Sequence, residues 1–466
     1  MIAKTINFIC IANPIKSNDL TLISIQCRLN RLTGSFNSDF VIFAHIFKYI
    51  ILLERALFSS LFFVIFLMTS TQGAVAAPVL HHMQIDSTHH KFIYRARSYK
   101  ELDLIDIVKL VLHKKLMATT DTVTRDEKLH ISVLGAPGYT RSTELVGIIS
   151  GNFAFYADRH NQNQSSITAE VSYTQLSQAI FVIGPNIWTK DDKWNIIGDN
   201  KITKYPQQTN GLGGHTLESN GYTLDYFQVR IHETALRHVV NDLYMGLGYD
   251  LDYHFRIREL TTDTNTDYRK YGGRDKSMSS GPKATIAFDS RRNSINPRGG
   301  FFASVIFAYY PKLLGSDNNY ASLKGDFRVY IPLSKNKKHI LALWNYDWFT
   351  FDGHAPYLDL PSTSWDDASS TGRGYNQSRF RGKNMLDLEA EYRFPLMKDG
   401  LFGGVIFANV QSFTDYPSNK FTTAAPGWGL GLRVKLNKHS NTNITFDYGF
   451  GLHGSNGLTI NIGEVF

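Results

Sequence analysis

A chain of 466 residues with 49 Lys/Arg against 41 Asp/Glu, a formal net charge of +8 and 13% aromatic residues is long enough for a large folded body. Its mean hydropathy of −0.21 is too polar for a bundle of apolar membrane helices, and its mild basic excess is spread along the chain, which excludes a nucleic-acid binder. Both cysteines, Cys10 and Cys27, precede the processing site read below, so no disulfide or thiol chemistry is expected.

In chain order, residues 1–54 match no recognisable domain and read as an over-extended N-terminus. Residues 55–76 read as a signal peptide: Arg55, an apolar run from Ala56 to Met68, and the Ala-x-Ala site Ala74-Val75-Ala76. Its removal takes six Lys/Arg and three Asp/Glu with it, leaving 43 against 38 and a net charge of about +5. Residues 77–137 begin as a polar lead. The pairs His81-His82 and His89-His90 have no carboxylate or thiol at ligand spacing, so neither a metal nor a cofactor is expected. Ser98 and Glu101 then have capping-box spacing ahead of Leu102, Ile105, Leu110 and Leu112, which predicts a short amphipathic helix ending at Lys114 and Lys115.

From residue 138 to 466 segments of two-residue alternation recur, separated by polar connections of which 257–280 and 350–383 are the long ones. Leu386, Leu388, Ala390, Tyr392 and Phe394 alternate with Asp387, Glu389, Glu391 and Arg393, so one face wants hydrocarbon and the other water. Leu243 to Phe255 repeats the pattern against Asp250, Asp252 and His254, and Ile444 to Phe450 repeats it against Asn443, Thr445 and Asp447. Charges recurring on an inner face suit a polar lumen rather than a dry core. The fold class is therefore all-β, a transmembrane antiparallel β-barrel. Fifteen strand segments are read, the first at 138–157 and the last at 457–466, and even parity raises the expected number to 16.

These residues also carry a resemblance. Gly372-Arg373-Gly374-Tyr375, with the strand that follows, resembles the inward-folding sixth external loop of the BamA/TamA family, also called the bacterial surface antigen family. Asp289, Arg291 and Asn293, followed by Pro297 and Gly299, are similar to that family's Asp-x-Arg-x-Asn hairpin. Gly138-Tyr139-Thr140 resembles its first strand, and the end from Asn461 to Phe466 resembles the last strand of Bacteroidetes-type members. The resemblance implies a loop arginine, Arg373, reaching into the lumen toward an acid. Asn409 stands where that acid is expected, so Glu389 or Glu391 is expected to take part. It further implies a non-enzymatic role in outer-membrane protein assembly, insertion or translocation, through a weak first-to-last-strand seam loosened by Gly138, Gly147, Gly151 and Gly463. Phe466 is expected to serve as a C-terminal assembly signal. The implied partners are outer-membrane lipid and lipopolysaccharide, and either unfolded outer-membrane proteins or a periplasmic partner. Residues 77–137 are too short for one typical periplasmic polypeptide-transport repeat.

Two rival readings follow from the same residues. His453-Gly454-Ser455-Asn456-Gly457 resembles an element of outer-membrane acyl hydrolases, with His453 activating Ser455 and Glu464 downstream. A lumen lined by both signs of charge also fits a passive or plugged pore.

Overall fold

The structure, a computed structural model, describes residues 11–12, 25–26, 101–104, 106–107, 129–158, 163–367, 369–438 and 440–466. The chain divides into two units, 1–90 and 91–466. In the first, Ile11–Ala12 and Ile25–Gln26 pair antiparallel, and the signal peptide read over 55–76 lies outside the described residues. The helix expected from Ser98 also lies largely outside them. Leu104, Asp106 and Ile107 are helical, with Ile107 donating its N–H to the Asp103 carbonyl at 3.1 Å.

The second unit is a closed antiparallel barrel. Its strands are β1 (His130–Thr140), β2 (Glu144–Phe155), β3 (Ser165–Thr174), β4 (Ala179–Trp188), β5 (Trp194–Lys204), β6 (Tyr222–Val240), β7 (Leu243–Leu260) and β8 (Lys276–Asp289). The wall continues through β9 (Gly300–Tyr310), β10 (Tyr320–Pro332), β11 (Ile340–Phe351), β12 (Asn384–Pro395), β13 (Phe402–Phe413), β14 (Ala425–Asn437), β15 (Thr442–Phe450) and β16 (Asn456–Ile462). β5 breaks at Tyr205-Pro206, where proline has no N–H to donate, and resumes over Gln207–Thr209 against the same neighbour, β6.

The fifteen segments become 16 strands because 138–157 is really the end of one strand, a turn and the whole of the next. The barrel opens at His130 rather than Gly138, and Gly147 and Gly151 lie on β2, not on the first strand. The turn Arg141-Ser142-Thr143 contains no Gly, Pro or Asn to mark it, whereas Gly135 and Pro137 inside β1 look like a break. The last strand is shorter than read: it ends at Ile462, and Gly463, at φ 103°, turns the final three residues away from the wall.

Alternation sorts the wall as hydropathy dictates. Leu247, Ile149, Ile286, Ile406, Leu430 and Trp428 are exposed on the outer surface, Leu247 to 72%, while Asp250, Asp252, Asp387, Glu389, Glu391, Arg433 and Asp447 are buried inside. In β7 the sorting reverses after Phe255, where Arg256 takes φ 53° at a bulge and Ile257 becomes the buried residue. Among the described residues no helix is long and apolar enough to cross a membrane; strands paired around a barrel carry the backbone across hydrocarbon instead. One end of the barrel carries short turns and both chain ends of the wall. The other carries long loops, above all 352–383 between β11 and β12.

Candidate functional site

The β11–β12 loop folds into the barrel and brings Arg373 onto the inner faces of β12 to β15. Register explains the landing place. Across the wall, Glu391 pairs with Phe407 and Phe407 with Gly429, while Glu389 pairs with Asn409 and Asn409 with Gly427. Acids, an aromatic face and side-chain-free positions thus lie side by side. The Arg373 Nη1 is 2.7 Å from Glu391 Oε2 and 3.0 Å from Asp447 Oδ2, and its Nη2 is 3.4 Å from Glu389 Oε2. Its guanidinium also stacks 3.8 Å above the Phe407 ring. Gly372 donates its N–H to Glu389 at 2.8 Å, and Asn409 donates Nδ2 to the Arg373 carbonyl at 2.9 Å.

Space for the loop comes from glycine. At Gly374, φ is 103°, and an added Cβ would stand 2.7 Å from the Phe450 carbonyl oxygen. At Gly449 on β15, a Cβ would stand 2.6 Å from the Gly374 nitrogen. Tyr375 then pins the tip, donating its hydroxyl to the Pro426 carbonyl at 2.6 Å and accepting from the Leu452 N–H at 2.9 Å.

Arg373 is one of three buried arginines in a single network. Arg393 reaches Glu391 at 2.6 Å, and Arg433 reaches Asp447 at 2.5 Å and Glu464 at 2.8 Å. Three guanidinium groups therefore face four carboxylates from the loop, three strands and the C-terminal tail. The tail belongs to this network. Arg393 donates to the Phe466 main-chain oxygen at 2.6 Å, and the Phe466 ring lies 5.1 Å from Trp344 inside the lumen. Phe466, expected at the end of a wall strand, is thus an interior residue, held by aromatic contact and arginine pairing.

The hairpin motif closes the short-turn end. Arg291 makes a bidentate pair with Asp289, both bonds at 2.8 Å, and lies over the Phe302 ring. Asn293 accepts the N–H groups of Ile295 and Asn296 at 2.9 Å and donates to the Ser440 carbonyl at 3.2 Å. Pro297 is buried beside Asn296, while Gly299 is partly exposed where the chain returns to β9. Asn296 continues to Asn441 at 3.2 Å and Glu464 at 3.4 Å. The β8–β9 turn therefore spans the mouth to a turn six strands away around the wall.

At the long-loop end, the β5–β6, β7–β8 and β11–β12 loops bury a tyrosine-rich cluster that includes Tyr226, Tyr268, Tyr310, Tyr320 and Tyr357. Gly213 donates to the Arg381 carbonyl at 2.7 Å, joining two loops. Asp359, also in the β11–β12 loop, accepts from Ser279 Oγ at 2.5 Å and faces His254 at 3.6 Å. Burial, then the nearby Asp252 charge, pushes its carboxyl up to about 8.

The hydrolase residues do not meet as a catalytic set. Ser455 is buried and donates its hydroxyl to the Gly374 carbonyl at 3.0 Å, His453 is exposed, and Glu464 is engaged by Arg433. Asp447, Arg433, Phe407 and Glu464 are the network members that sequence reasoning did not assign to the loop. For Asp447, Arg433 and Phe407 inward parity was the available signal; Glu464 has outward parity and turns in only after Gly463.

A closed 16-strand barrel with an apolar outer belt, a charged lumen and a loop bound inside it defines a transmembrane protein of the bacterial outer membrane. Residues 161–466 match the Omp85 superfamily domain, and the chain belongs to that superfamily, as an outer-membrane barrel of BamA/TamA type. Members are non-enzymatic transporters or assembly factors, acting in outer-membrane protein insertion or translocation generally. The chain is similar to BamA from Haemophilus ducreyi lacking POTRA domains 1–3, with 14% identity over 77% of this chain and 78% of that one, at a TM-score of 0.49. It is also similar to CdiB from Acinetobacter baumannii, with 12% identity over 73% of this chain and 60% of that one, at a TM-score of 0.48. CdiB from Escherichia coli gives 11% identity over 73% and 68%, at a TM-score of 0.47. No protein of curated function matches the chain.

Proposed function

We propose that this protein inserts or translocates proteins at the outer membrane by parting the seam between β1 and β16, with the β11–β12 loop bracing β12 to β15, the wall that leads up to that seam. The observation that carries the reading is the seam itself. β16 and β1 share one residue pair, Ile460 with Tyr139, whereas every other neighbouring pair of barrel strands registers at least seven. Cross-strand pairs contribute roughly 0.2–1 kcal/mol each, so this is the least costly place for the wall to open.

β1 spans eleven residues and uses only Tyr139 toward β16, leaving most of one edge without a strand partner among the described residues. Such an edge in hydrocarbon is unfavourable and offers a template on which an incoming strand can pair. Unfolded outer-membrane proteins are the clients this edge fits, and lipid and lipopolysaccharide are the solvent of the belt around it.

Depletion in the native host followed by quantitative proteomics of the outer membrane tests the reading. A coordinated fall of unrelated barrels supports general insertion, and loss of a single secreted or surface protein supports dedicated translocation. An unchanged outer-membrane proteome and secretome contradicts both.

A further inference from the structure

At the short-turn end, which faces the periplasm in outer-membrane barrels, a cavity of about 90 Å³ lies between the β8–β9, β10–β11 and β12–β13 turns and the inner faces of β12 and β14. Six cationic side chains line it, those of Arg298, Lys337, Lys338, Arg393, Arg433 and Lys435, against two carboxylates, Glu101 and Glu464. Part of this charge is already committed. Arg393 is held by Glu391 at 2.6 Å and Arg433 by Glu464 at 2.8 Å, and Glu464 also accepts from Asn443 at 2.6 Å.

Three cations are left with no ion pair among the described residues. Lys435, 7% exposed, donates to Asn441 Oδ1 at 3.2 Å and to the Asn441 carbonyl at 3.4 Å. Arg298, partly exposed, donates to the same Oδ1 at 3.1 Å. Two positive charges thus share one neutral oxygen, and their nitrogens lie no more than about 6 Å apart. Lys337 is exposed on the β10–β11 turn, and Lys338 beside it is held only loosely, 3.9 Å from Glu101. A buried ammonium with no counter-charge is costly, and its field reaches an anion in the cavity whether or not the two groups touch.

The rim itself shows which anion it takes. Residues 101–106 lie along the same turns. Leu102 donates its N–H to the Asp399 carbonyl at 3.2 Å, Asp103 Oδ2 accepts the Lys438 N–H at 2.9 Å, and Asp106 pairs with Lys438 at 2.7 Å. An acidic stretch of peptide therefore seats here by both backbone and carboxylate, and its Glu101 and Leu102 border the cavity. The other half of the rim has no such excess of cations, since Lys190 pairs with Asp158 at 3.6 Å and Lys193 with Asp191 at 3.5 Å.

We propose that this cavity docks an acidic segment of a periplasmic protein, one Asp or Glu side chain entering between Arg298, Lys337 and Lys338 while Lys435 supplies charge from behind. The volume suits a single carboxylate, about three waters' worth at roughly 30 Å³ each. Arg393, Arg433 and Lys435 belong to the inner face, which puts the cavity on the lumen side of the wall and favours a peptide over a lipid headgroup. Docking needs no parting of the β1–β16 seam, so this site and the insertion activity can fail separately.

The test uses the full chain in an uncharged detergent and a blocked hexapeptide of alternating Glu and Ala, carrying a neutral fluorophore and followed by anisotropy. The Gln isostere of the peptide, inorganic phosphate and glycerol phosphate are measured beside it. Heat-modifiable migration on gels reports that each variant remains a folded barrel, and Arg298→Gln, in a turn, serves if Lys435→Gln does not fold. Saturable, salt-sensitive binding of the Glu peptide is expected, with none of the Gln isostere. Lys435→Gln and Arg298→Gln should each weaken it about tenfold, the weight of one charged contact. Lys335→Gln, on the same β10–β11 turn but outside the cavity, should weaken it less than about twofold. No binding of the Glu peptide, or equal losses from all three variants, overturns the proposal. Tighter binding of either phosphate than of the peptide overturns it in favour of a phosphate site, and peptide binding that appears only in Glu101→Gln overturns it by making the chain's own segment the occupant.

Discussion

Asn409 donates its Nδ2 to the main-chain carbonyl of Arg373 at 2.9 Å, so it holds the loop's backbone, while the loop's charge is met by Glu391 at 2.7 Å on the neighbouring strand. The position where an acid was expected has thus become a backbone clamp. Neutralisation is shared between β12 and β15.

This division of labour predicts that Asn409→Asp weakens the site instead of repairing it. A carboxylate in place of the amide turns an acceptor toward an acceptor carbonyl and adds a fifth acid to a network already holding four against three arginines. A loss of about 1–3 kcal/mol is expected, read as a lower thermal midpoint of the heat-modifiable band. Asn409→Ser, which retains a donor, should lose less.

Removing Glu391 should cost more. Its carboxylate is shared by Arg373 and Arg393, with Arg433 also at 3.8 Å, and it is fully buried. Glu391→Gln breaks buried ion pairs of both Arg373 and Arg393 at once, a change worth about 3–5 kcal/mol. The expected readout is faster proteolysis within 352–383 and a marked fall in thermal midpoint. An unaltered midpoint would mean that the network contributes little to closure.

Backbone contact gives an independent test of the same seat. Gly449→Ala puts a methyl group where the Gly374 nitrogen now lies, and the loop must back away. The β14–β15 ladder itself should survive, since alanine is tolerated there by the strand. Single-channel recordings should therefore show raised conductance with the barrel still folded. Conductance equal to that of the parent would contradict the idea that this close approach seals the lumen.

Asp359 sets a pH dependence at the external loops. Its carboxyl is raised from the ordinary 3.8 to about 8, first by burial and then by Asp252, so the folded loop prefers the protonated form. Its contribution is fully present below about pH 4 and is lost as pH rises through about 8. Protease cleavage within 352–383 should therefore accelerate at alkaline pH, and Asp359→Asn should flatten that rise. A parent profile already flat across this range would contradict the assignment.

Much of this architecture was legible in the chain because alternation encodes which solvent each residue meets. In β12, Asp387, Glu389, Glu391 and Arg393 face inward as their parity requires, and the Gly372–Tyr375 motif marked the loop that meets them. Evenness of strand number correctly implied a missed strand. β1 itself was hidden, since Pro137 sits on a barrel edge where no partner needs its N–H, and the Arg141–Thr143 turn has ordinary residues. What the sequence could not express was convergence across the lumen. Asp447 lies 74 residues from Arg373 and meets it only because the loop folds back onto β12 to β15. The inward turn of Glu464 and Phe466 depends on the Arg393 and Arg433 side chains waiting inside, and a C-terminal aromatic reads equally well as a wall residue.

The central claim is that the β1–β16 seam must part for the protein to act. Tyr139→Cys combined with Ile460→Cys places thiols at the one paired position of the seam, in a chain whose other cysteines, Cys10 and Cys27, lie far upstream in sequence. The protein is reconstituted in liposomes, and the assisted folding of an unfolded outer-membrane barrel is measured before and after oxidation. The account predicts that oxidation abolishes assistance and that reduction restores it. Equal assistance from the oxidised, fully cross-linked protein would contradict it.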